Sequence, residues 1–345
     1  MEKIKVAIVG AGNIARSAHL PAYKKFNDVE VVAIADKNLE RAQETAKMFD
    51  IPAAYGSIDE LLEKTECDYV DVCVWTGSHA DCVIKAANAG RNVLCEKPMA
   101  LNLEHALKMK EAVEKNGVLF MLAVPTRYTN ETQLLHQMME EGKFGDIYYA
   151  KTAYTRRRGT PRGWFTDTAK AGGGPVIDIG VHCIDRTWYI MGNPKPVRVS
   201  ASTSYTIGDY QTKGVTRWTA LDSDVTAFDT EDAANGVIHF ENGASMVFDV
   251  AWAQNAPDES YSQICGSKAG ARENPLTIYG EEDGYLVDIK PTTGDCDMFY
   301  NEIAHFIDCL RTGKKPISDL DQAVTMQRIL QGIYDSAKLG REVEI

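Results

Sequence analysis

Residues 5–15, KVAIVGAGNIA, constrain the fold more than any other part of the sequence. A short apolar run enters a glycine-containing turn and leaves into a segment with helical spacing, which predicts a buried parallel strand followed by a helix. The turn fits the pattern G-x-G-x-x-A. Gly10 permits a tight bend, Gly12 lets a pyrophosphate approach the backbone, and Ala15 lets the helix pack closely on the sheet. The turn therefore predicts a dinucleotide site, the alternative being a tight strand-to-helix connection with no ligand.

A second apolar run, residues 29–35, ends at Asp36, about 20 residues after the glycine turn. A carboxylate at that distance accepts hydrogen bonds from the hydroxyls of an adenosine ribose and repels a 2′-phosphate. This favours NAD over NADP as the cofactor. Lys37 and Arg41 lie close enough in the sequence to accommodate a phosphate, so NADP stays an alternative.

The length of 345 residues favours two domains rather than one. The chain is 44% hydrophobic and 25% charged, with no apolar run of bilayer length, as in soluble globular proteins. Met1 and Glu2 lead straight towards the first strand, so no signal peptide is expected. Eight scattered cysteines without a C-x-x-C motif indicate free thiols in a reducing cytoplasm rather than disulfides or metal ligands. A net charge of −12 argues against nucleic acid and anionic membranes as partners.

Apolar strands and helices alternate up to residue 124, which predicts an α/β fold with a doubly wound parallel sheet. Ser57 and Glu60 form a capping box at one helix start. The predicted elements are strands at residues 6–9, 29–35, 53–55, 69–74, 92–95 and 118–124, and helices at 39–49, 80–89 and 104–116.

The pattern changes after Val124, where strands come to dominate. Asn242 and Gly243 join two strands in a predicted hairpin, because Asn-Gly suits a tight turn. The remaining predictions are helices at 130–141, 177–191 and 297–310, a last helix from a Ser318 cap to Gly340, and strands at 147–154, 236–240 and 244–250. We expect a dinucleotide-binding domain at residues 1–124 and an α+β domain with an open, mainly antiparallel sheet at 125–345.

Ligands of open parallel sheets bind beyond the carboxyl ends of the strands, so the residues that follow each strand are candidates for the site. Lys97 stands out among them, because a lysine beside an oxidised nicotinamide is partly desolvated and can take part in proton transfer. The alternative is a surface lysine at a strand end. The candidate cofactor contacts are Gly10, Gly12, Asn13, Ile14, Asp36, Lys37, Arg41, Trp75, Thr76, His79, Glu96 and Lys97.

A second candidate group lies in residues 172–182, GGGPVIDIGVH. Asp178 and His182 are four residues apart, so one face of a helix presents both. Histidine suits removal of a proton from an alcohol, and an aspartate nearby can orient substrate hydroxyls. The alternative is an ion pair on a helix surface. No third ligand follows at a diagnostic spacing, so no metal site is predicted.

Taken together, these motifs resemble those of the Gfo/Idh/MocA oxidoreductases, the family of glucose-fructose oxidoreductase and inositol 2-dehydrogenase. The resemblance covers nearly the whole chain. The matching stretches are Gly10-x-Gly12-x-x-Ala15, residues 76–79, 96–98 and 172–182, and NEIAHFIDCLRTGKKP at 301–316. It implies a nicotinamide-dependent enzyme with an N-terminal Rossmann domain. It also implies a C-terminal domain whose sheet covers the site and often forms dimer or tetramer contacts.

Carried over residue by residue, the resemblance makes Lys97 the catalytic lysine, Asp178 a substrate-binding aspartate and His182 the proton-transferring histidine. All three are thus predicted catalytic residues and substrate contacts. Arg127, Arg162 and Trp164 are further candidate substrate contacts, since an arginine can bind an anionic group and an indole can stack on a sugar. A solvated basic loop is the alternative for Arg162 and the arginine run at 156–158.

The expected function is hydride transfer between a nicotinamide cofactor and a secondary alcohol or ketone of a sugar, inositol or related polyol. The alternative is a non-catalytic protein of the same fold that senses NAD(P) or sugars. The presence of candidate proton-transfer groups favours the enzyme.

Overall fold

A computed structural model describes residues 3–221 and 227–345 of the chain. Met1 and Glu2, from which we predicted the absence of a signal peptide, lie outside these ranges. Within them the strands form two sheets, one of six strands and one of nine. No helix of the described ranges is both long and apolar enough to span a bilayer.

The first sheet is entirely parallel and has the order β3-β2-β1-β4-β5-β6. Its strands are β1 (Ile4–Val9), β2 (Val29–Ala35), β3 (Ala54–Tyr55), β4 (Tyr69–Val72), β5 (Asn92–Glu96) and β6 (Phe120–Ala123). Because the strand order reverses beside β1, a crevice opens at the carboxyl ends there, where ligands bind in such sheets. The predicted doubly wound sheet is confirmed.

The helices that connect these strands follow local sequence signals. The side chain of Asn38 accepts a hydrogen bond from the backbone of the first turn of α2, and Asn102 does the same for α5. Gly117 ends α5 in the left-handed conformation. The helices are α1 (Leu20–Tyr23), α2 (Leu39–Phe49), α3 (Ile58–Lys64), α4 (Thr76–Asn88) and α5 (Leu103–Asn116).

The second sheet has the order β14-β13-β12-β11-β7-β10-β9-β8-β15, and β7 and β10 are the one parallel pair in it among the described residues. Its strands are β7 (Ile147–Thr155), β8 (Pro196–Ser204), β9 (Ala233–Phe240), β10 (Ser245–Ala251), β11 (Glu259–Gly266), β12 (Gly270–Arg272), β13 (Thr277–Glu282), β14 (Tyr285–Ile289) and β15 (Val343–Glu344). The mainly antiparallel sheet is therefore confirmed, as is the hairpin of β9 and β10, where Gly243 has a φ of +85°.

The later helices are α6 (Asn130–Glu140), α7 (Thr168–Ala171), α8 (Val181–Ile190), α9 (Met298–Thr312) and α10 (Leu320–Leu339). Two of them connect the halves of the molecule. Phe306 of α9 is buried against the first sheet, on the face that α1 and α2 also cover. Ala323 of α10 is buried in the core that α3, α4 and α5 form on the opposite face of this sheet, whereas Ile329 of the same helix is buried against the second sheet.

Three helix predictions were wrong at their starts. Helix α4 begins at Thr76 instead of residue 80, which brings its first turn to the crevice. The helix predicted over 177–191 begins with a π-helical turn, Val176–Gly180, in which the N–H of Val181 donates to the carbonyl of Val176. Ser318 does not cap α10, because its hydroxyl donates to the carbonyl of Leu122. The adjacent Asp319 caps the helix instead.

Candidate active site

A cavity of about 680 Å³ opens at the carboxyl ends of the first sheet. Three aromatic residues from the part of the chain after residue 124 form part of its wall, namely Trp164, Phe165 and Trp218. The rings of Trp164 and Phe165 stack with centroids 4.0 Å apart, and Trp218 meets Phe165 edge-on. The predicted site residues that line the cavity are Gly10, Gly12, Asn13, Ile14, Asp36, Lys37, Arg41, Trp75, Thr76, Glu96, Lys97 and Trp164. The cavity is large enough for a ligand of cofactor size.

The glycine turn leaves room for a dinucleotide at the base of this cavity. Gly10 has a φ of +105°, and a Cβ there would lie 2.4 Å from the carbonyl oxygen of Cys73. This position therefore requires glycine both for its backbone angle and for space. A Cβ on Gly12 would meet nothing within 4 Å, and Gly12 lines the cavity. The space beside Gly12 is thus open to a pyrophosphate, which fits the chemistry of a dinucleotide cofactor.

Asp36 lies at the end of β2 and is held by three protein donors. One carboxylate oxygen accepts from the N–H of Ala11 (2.8 Å), and the other accepts from the N–H of Asn38 (2.8 Å) and from the guanidinium of Arg41 (2.7 Å). Two carboxylate oxygens offer about four acceptor positions, so one is left for a ribose hydroxyl. The charge of Arg41 also offsets the repulsion that Asp36 alone would exert on a 2′-phosphate.

Lys97 follows β5 and reaches across to the second half of the chain. Its Nζ donates to the backbone carbonyl of Asp178 (2.8 Å) and lies 3.4 Å from the Oδ1 of that residue. The other carboxylate oxygen of Asp178 accepts from the indole N–H of Trp252 (3.0 Å). The lysine and aspartate side chains are each about one-sixth exposed. The structure thus brings Lys97 and Asp178, which are 81 residues apart in the sequence, into direct contact.

The triglycine segment explains how the chain places Asp178. The buried carboxylate of Glu231 accepts from the N–H groups of Gly174 (2.9 Å) and Val176 (3.2 Å), just before the π-helical turn. A Cβ on Gly174 would lie 2.2 Å from the carbonyl oxygen of Glu231, and a Cβ on Gly173 would lie 1.9 Å from the hydroxyl of Tyr334. Side chains here would therefore push away the groups that hold the start of the turn.

His182 lies four residues beyond Asp178, in the first turn of α8. Burial lowers the pKa of His182 well below its usual value, and the positive charges of Lys97, Arg186 and Arg156 lower it further. Its Nδ1 is buried and has no hydrogen-bond partner among the described residues. The imidazole is therefore neutral near pH 7, and one of its ring nitrogens can accept a proton.

Five predicted contacts do not line the cavity. Two of them, Asp178 and His182, lie beside it as described above, and the other three are Arg127, His79 and Arg162. The guanidinium of Arg127 is buried and makes two hydrogen bonds to Asp185, at 2.6 and 2.7 Å, so it serves the interior rather than a substrate. His79 is buried behind the wall, where its ring contacts the backbone carbonyls of Val74 and Pro98. Arg162 is exposed, although its backbone N–H donates to the carbonyl of Trp218 in the aromatic wall (2.8 Å).

Sequence reasoning missed Trp252 and Trp218. Trp252 directly follows β10, at an end of the second sheet, but only strand order shows that this end faces Asp178. Trp218 lies in an irregular segment without periodicity. Its half-exposed indole at the rim of the cavity was not foreseeable from spacing. The polar cluster around His19, described below, was missed as well.

Two family models match the chain. A model described as "Oxidoreductase family, NAD-binding Rossmann fold" (GFO_IDH_MocA) matches residues 4–124, and one described as "GFO/IDH/MocA C-terminal domain" matches residues 132–272.

Similar proteins match over most of their length. D-glucoside 3-dehydrogenase of Escherichia coli (strain K12) is 31% identical, with 99% of this chain and 97% of that protein covered. Trans-1,2-dihydrobenzene-1,2-diol dehydrogenase of Bos taurus is 34% identical, with 88% of each covered. A structure of levoglucosan dehydrogenase in complex with NADH and L-sorbose has the same fold, with a TM-score of 0.87 and 22% identity over 100% of this chain and 99% of that one. The chain therefore belongs to the GFO/IDH/MocA oxidoreductase family and carries its NAD-binding Rossmann fold.

Proposed function

We propose that this protein is an NAD(P)-dependent dehydrogenase that transfers a hydride between the nicotinamide cofactor and a secondary alcohol or ketone of a sugar, inositol or related polyol. One observation carries the proposal: the contact of Lys97 with Asp178 beside the cofactor cavity, with a neutral His182 one turn further on. The similarity to D-glucoside 3-dehydrogenase over almost the full chain supports a sugar as substrate.

The three side chains divide the work of alcohol oxidation. A bound nicotinamide cofactor supplies the acceptor for the hydride. The neutral imidazole of His182 accepts the hydroxyl proton of the substrate. The Nζ of Lys97 donates a hydrogen bond to the substrate oxygen and stabilises the negative charge that develops there. Asp178 orients a neighbouring hydroxyl and, through its contact with Lys97, holds the ammonium at the site.

NAD is the proposed preferred cofactor. The remaining acceptor position of Asp36 suits a ribose hydroxyl. The adjacent cations support NADP as a second cofactor: Arg41 is paired with Asp36, and the Lys37 ammonium lies 3.3 Å from the centroid of the Trp75 ring.

The test is turnover by the purified protein with NAD⁺ or NADP⁺ and a panel of free aldoses, glycosides, anhydrosugars and inositols. We expect the absorbance of reduced nicotinamide to rise with at least one substrate. Lys97→Met should abolish that turnover and leave NAD⁺ binding intact, because the ammonium acts on the substrate. Lys108→Met removes an exposed lysine of α5 and is the matched control, which should behave as wild type.

Two outcomes would contradict the assignment. Full activity in both Lys97→Met and His182→Ala would show that the reaction occurs elsewhere. Intact NAD⁺ binding with no turnover on any substrate of the panel would instead favour a protein that senses cofactor or sugar without catalysis.

We also propose a cytoplasmic homodimer or homotetramer, with residues 1–124 as the cofactor domain and 125–345 as the domain that binds substrate and forms the contact between copies. Large exposed side chains on the second sheet support such a contact, among them Tyr148, Tyr285 and Leu286, which is 90% exposed. Buried free thiols support a reducing compartment, and the net charge of −12 disfavours nucleic acid as a partner. Light scattering of the purified protein tests the assembly, and a monomer would contradict it.

A further inference from the structure

A cluster of buried polar side chains lies next to the carboxyl ends of the strands of the first sheet, below the candidate cofactor cavity. At its centre, the Nδ1 of His19 lies 2.7 Å from Oδ2 of Asp71, and the Nε2 lies 2.9 Å from Oε1 of Glu96. His19 and Asp71 are fully buried, and Glu96 is 6% exposed. Ionised carboxylates only accept hydrogen bonds, and a neutral imidazole has only one N–H to donate. To donate a hydrogen bond to each of the two carboxylates, His19 must carry a proton on both ring nitrogens, so it is an imidazolium.

The groups around His19 agree with this charge state. Burial is the largest single influence and favours the neutral ring, but Asp71 and Cys73 together raise the pKa of His19 well above its usual value. The Tyr23 hydroxyl and the Cys73 thiol donate to Asp71, at 2.8 and 3.4 Å. Glu302 lies near the cluster, and burial raises the pKa of its carboxyl well above the usual range, so it adds no negative charge near pH 7. The imidazolium is thus the one cation that faces Asp71 and Glu96 in the cluster as the structure describes it.

Glu96 connects this cluster to Lys97. Its Oε1 is held by His19, and its Oε2 accepts from the backbone N–H of Lys97 (3.1 Å). The side chain of Lys97 then reaches Asp178 on the other side of the site. Hydrogen bonds therefore connect the interior of the first sheet to the backbone of Lys97, whose side chain carries the ammonium that we place on the substrate.

We propose that His19 is a positioning residue for the reaction: it fixes the carboxylate of Glu96, which holds the backbone of Lys97 and so directs the ammonium to the substrate oxygen. The proposal rests on the proposed function insofar as Lys97 acts in catalysis. His19 itself is fully buried and does not line the cavity. Its effect is on the geometry of Lys97, and a displacement of about 1 Å at a reacting group can lower the rate roughly 100-fold.

Two neutral substitutions of His19 separate positioning from general stability. The amide of His19→Gln falls near Nε2 and can still donate to Glu96, whereas the amide of His19→Asn falls near Nδ1 and can donate only to Asp71. Each variant loses the positive charge and one of the two hydrogen bonds. We expect the Asn variant to lose roughly 10- to 100-fold in kcat, with the KM for the sugar and the Kd for NAD⁺ within about threefold of wild type. The Gln variant should keep kcat within about threefold.

Equal losses of kcat in the two variants at similar Tm, or wild-type kcat in the Asn variant, would overturn the proposal. If the Asn variant does not fold, Glu96→Asp is the substitute, since the shorter carboxylate cannot reach both His19 and Lys97. We expect kcat to fall roughly 10- to 100-fold there as well, and an unchanged kcat would refute positioning.

A readout independent of turnover keeps this proposal distinct from the proposed function. In a crystal structure of the Asn variant, the Nζ of Lys97 should have left the carbonyl of Asp178, from which it is 2.8 Å away in the native chain. An unmoved Lys97 would overturn the proposal whether or not any sugar is turned over.

The last experiment measures the metal content of the purified protein, because ligand atoms of His19, Asp71 and Cys73 lie within 4.8 Å of one another. Stoichiometric metal in the purified protein would contradict the imidazolium.

Discussion

The indole of Trp252 offers a direct measure of how the candidate site holds Asp178. Its Nε1 is 3.0 Å from Oδ2 of Asp178, and the residue is fully buried. Trp252→Phe keeps an aromatic ring in place and removes the donor. A hydrogen bond to a charged group contributes about 1.5–3 kcal/mol. Without it, the carboxylate is free to turn towards Lys97, which is already 3.4 Å away, and to draw the ammonium off the substrate. We therefore expect kcat/KM to fall roughly 10- to 100-fold.

The assay compares this variant with Trp188→Phe, a matched control near the end of α8. Trp188 is also buried and donates its indole N–H to a backbone carbonyl, that of Pro194 (2.7 Å). Both variants should lose stability, by about 0.5–3 kcal/mol in urea unfolding. Only Trp252→Phe should lose kcat/KM beyond about threefold. Equal kinetic losses in the two variants, or none in Trp252→Phe, would refute the role of the indole in orienting Asp178.

Three further predictions concern pH, stability and cofactor choice. Because burial keeps the pKa of His182 well below its usual value, its neutral form persists as the pH falls through about 6.5. The kcat/KM for alcohol oxidation should therefore stay level there and decline only at lower pH, and a decline centred on pH 6.5 would contradict the burial argument. Arg127→Met leaves the buried carboxylate of Asp185 without its partner and should cost about 3–5 kcal/mol in chemical unfolding. A loss below about 1 kcal/mol would show that the pair is dispensable. Arg41→Ala removes the cation that is paired with Asp36, so the KM for NADP⁺ should rise about tenfold and that for NAD⁺ less than threefold. Equal changes for the two cofactors would place the 2′-phosphate elsewhere.

The features that were predicted correctly from the sequence are those that nearby residues determine, such as helix caps, apolar runs and turn residues. Helix α2 and strand β2 have the predicted bounds, because the Asn38 cap fixes the start of the helix and a mainly apolar run, broken only by Glu30, forms the strand. The β9–β10 hairpin follows from Asn242 and Gly243 in the same way. Most of the cofactor side of the cavity was also predictable, since the residues after parallel strands meet at one edge of the sheet.

Features that depend on contacts distant in the sequence were not predictable. The π-helical turn before α8 depends on Glu231, which binds backbone N–H groups 55 and 57 residues earlier. Side-chain periodicity carries no signal for such a turn. Arg127 was predicted as a substrate contact because it lies just past the predicted domain boundary at residue 124, yet its side chain is buried and paired with Asp185, 58 residues away. His19 and Trp252 were overlooked for the same reason.

Helix α10 has a consequence for how the protein unfolds. Ala323 and Val324 complete the core on one face of the first sheet, and Ile329 and Leu330 complete the core of the second. Because this one helix is part of both cores, unfolding of either core also removes residues from the other. The two sheets should therefore unfold in one cooperative transition, although their hydrophobic cores are separate. A fragment that ends before residue 320 would lack α10 and expose apolar surface in both cores. We therefore expect that neither sheet, with its own helices alone, folds stably enough to be used as a separate unit in engineering.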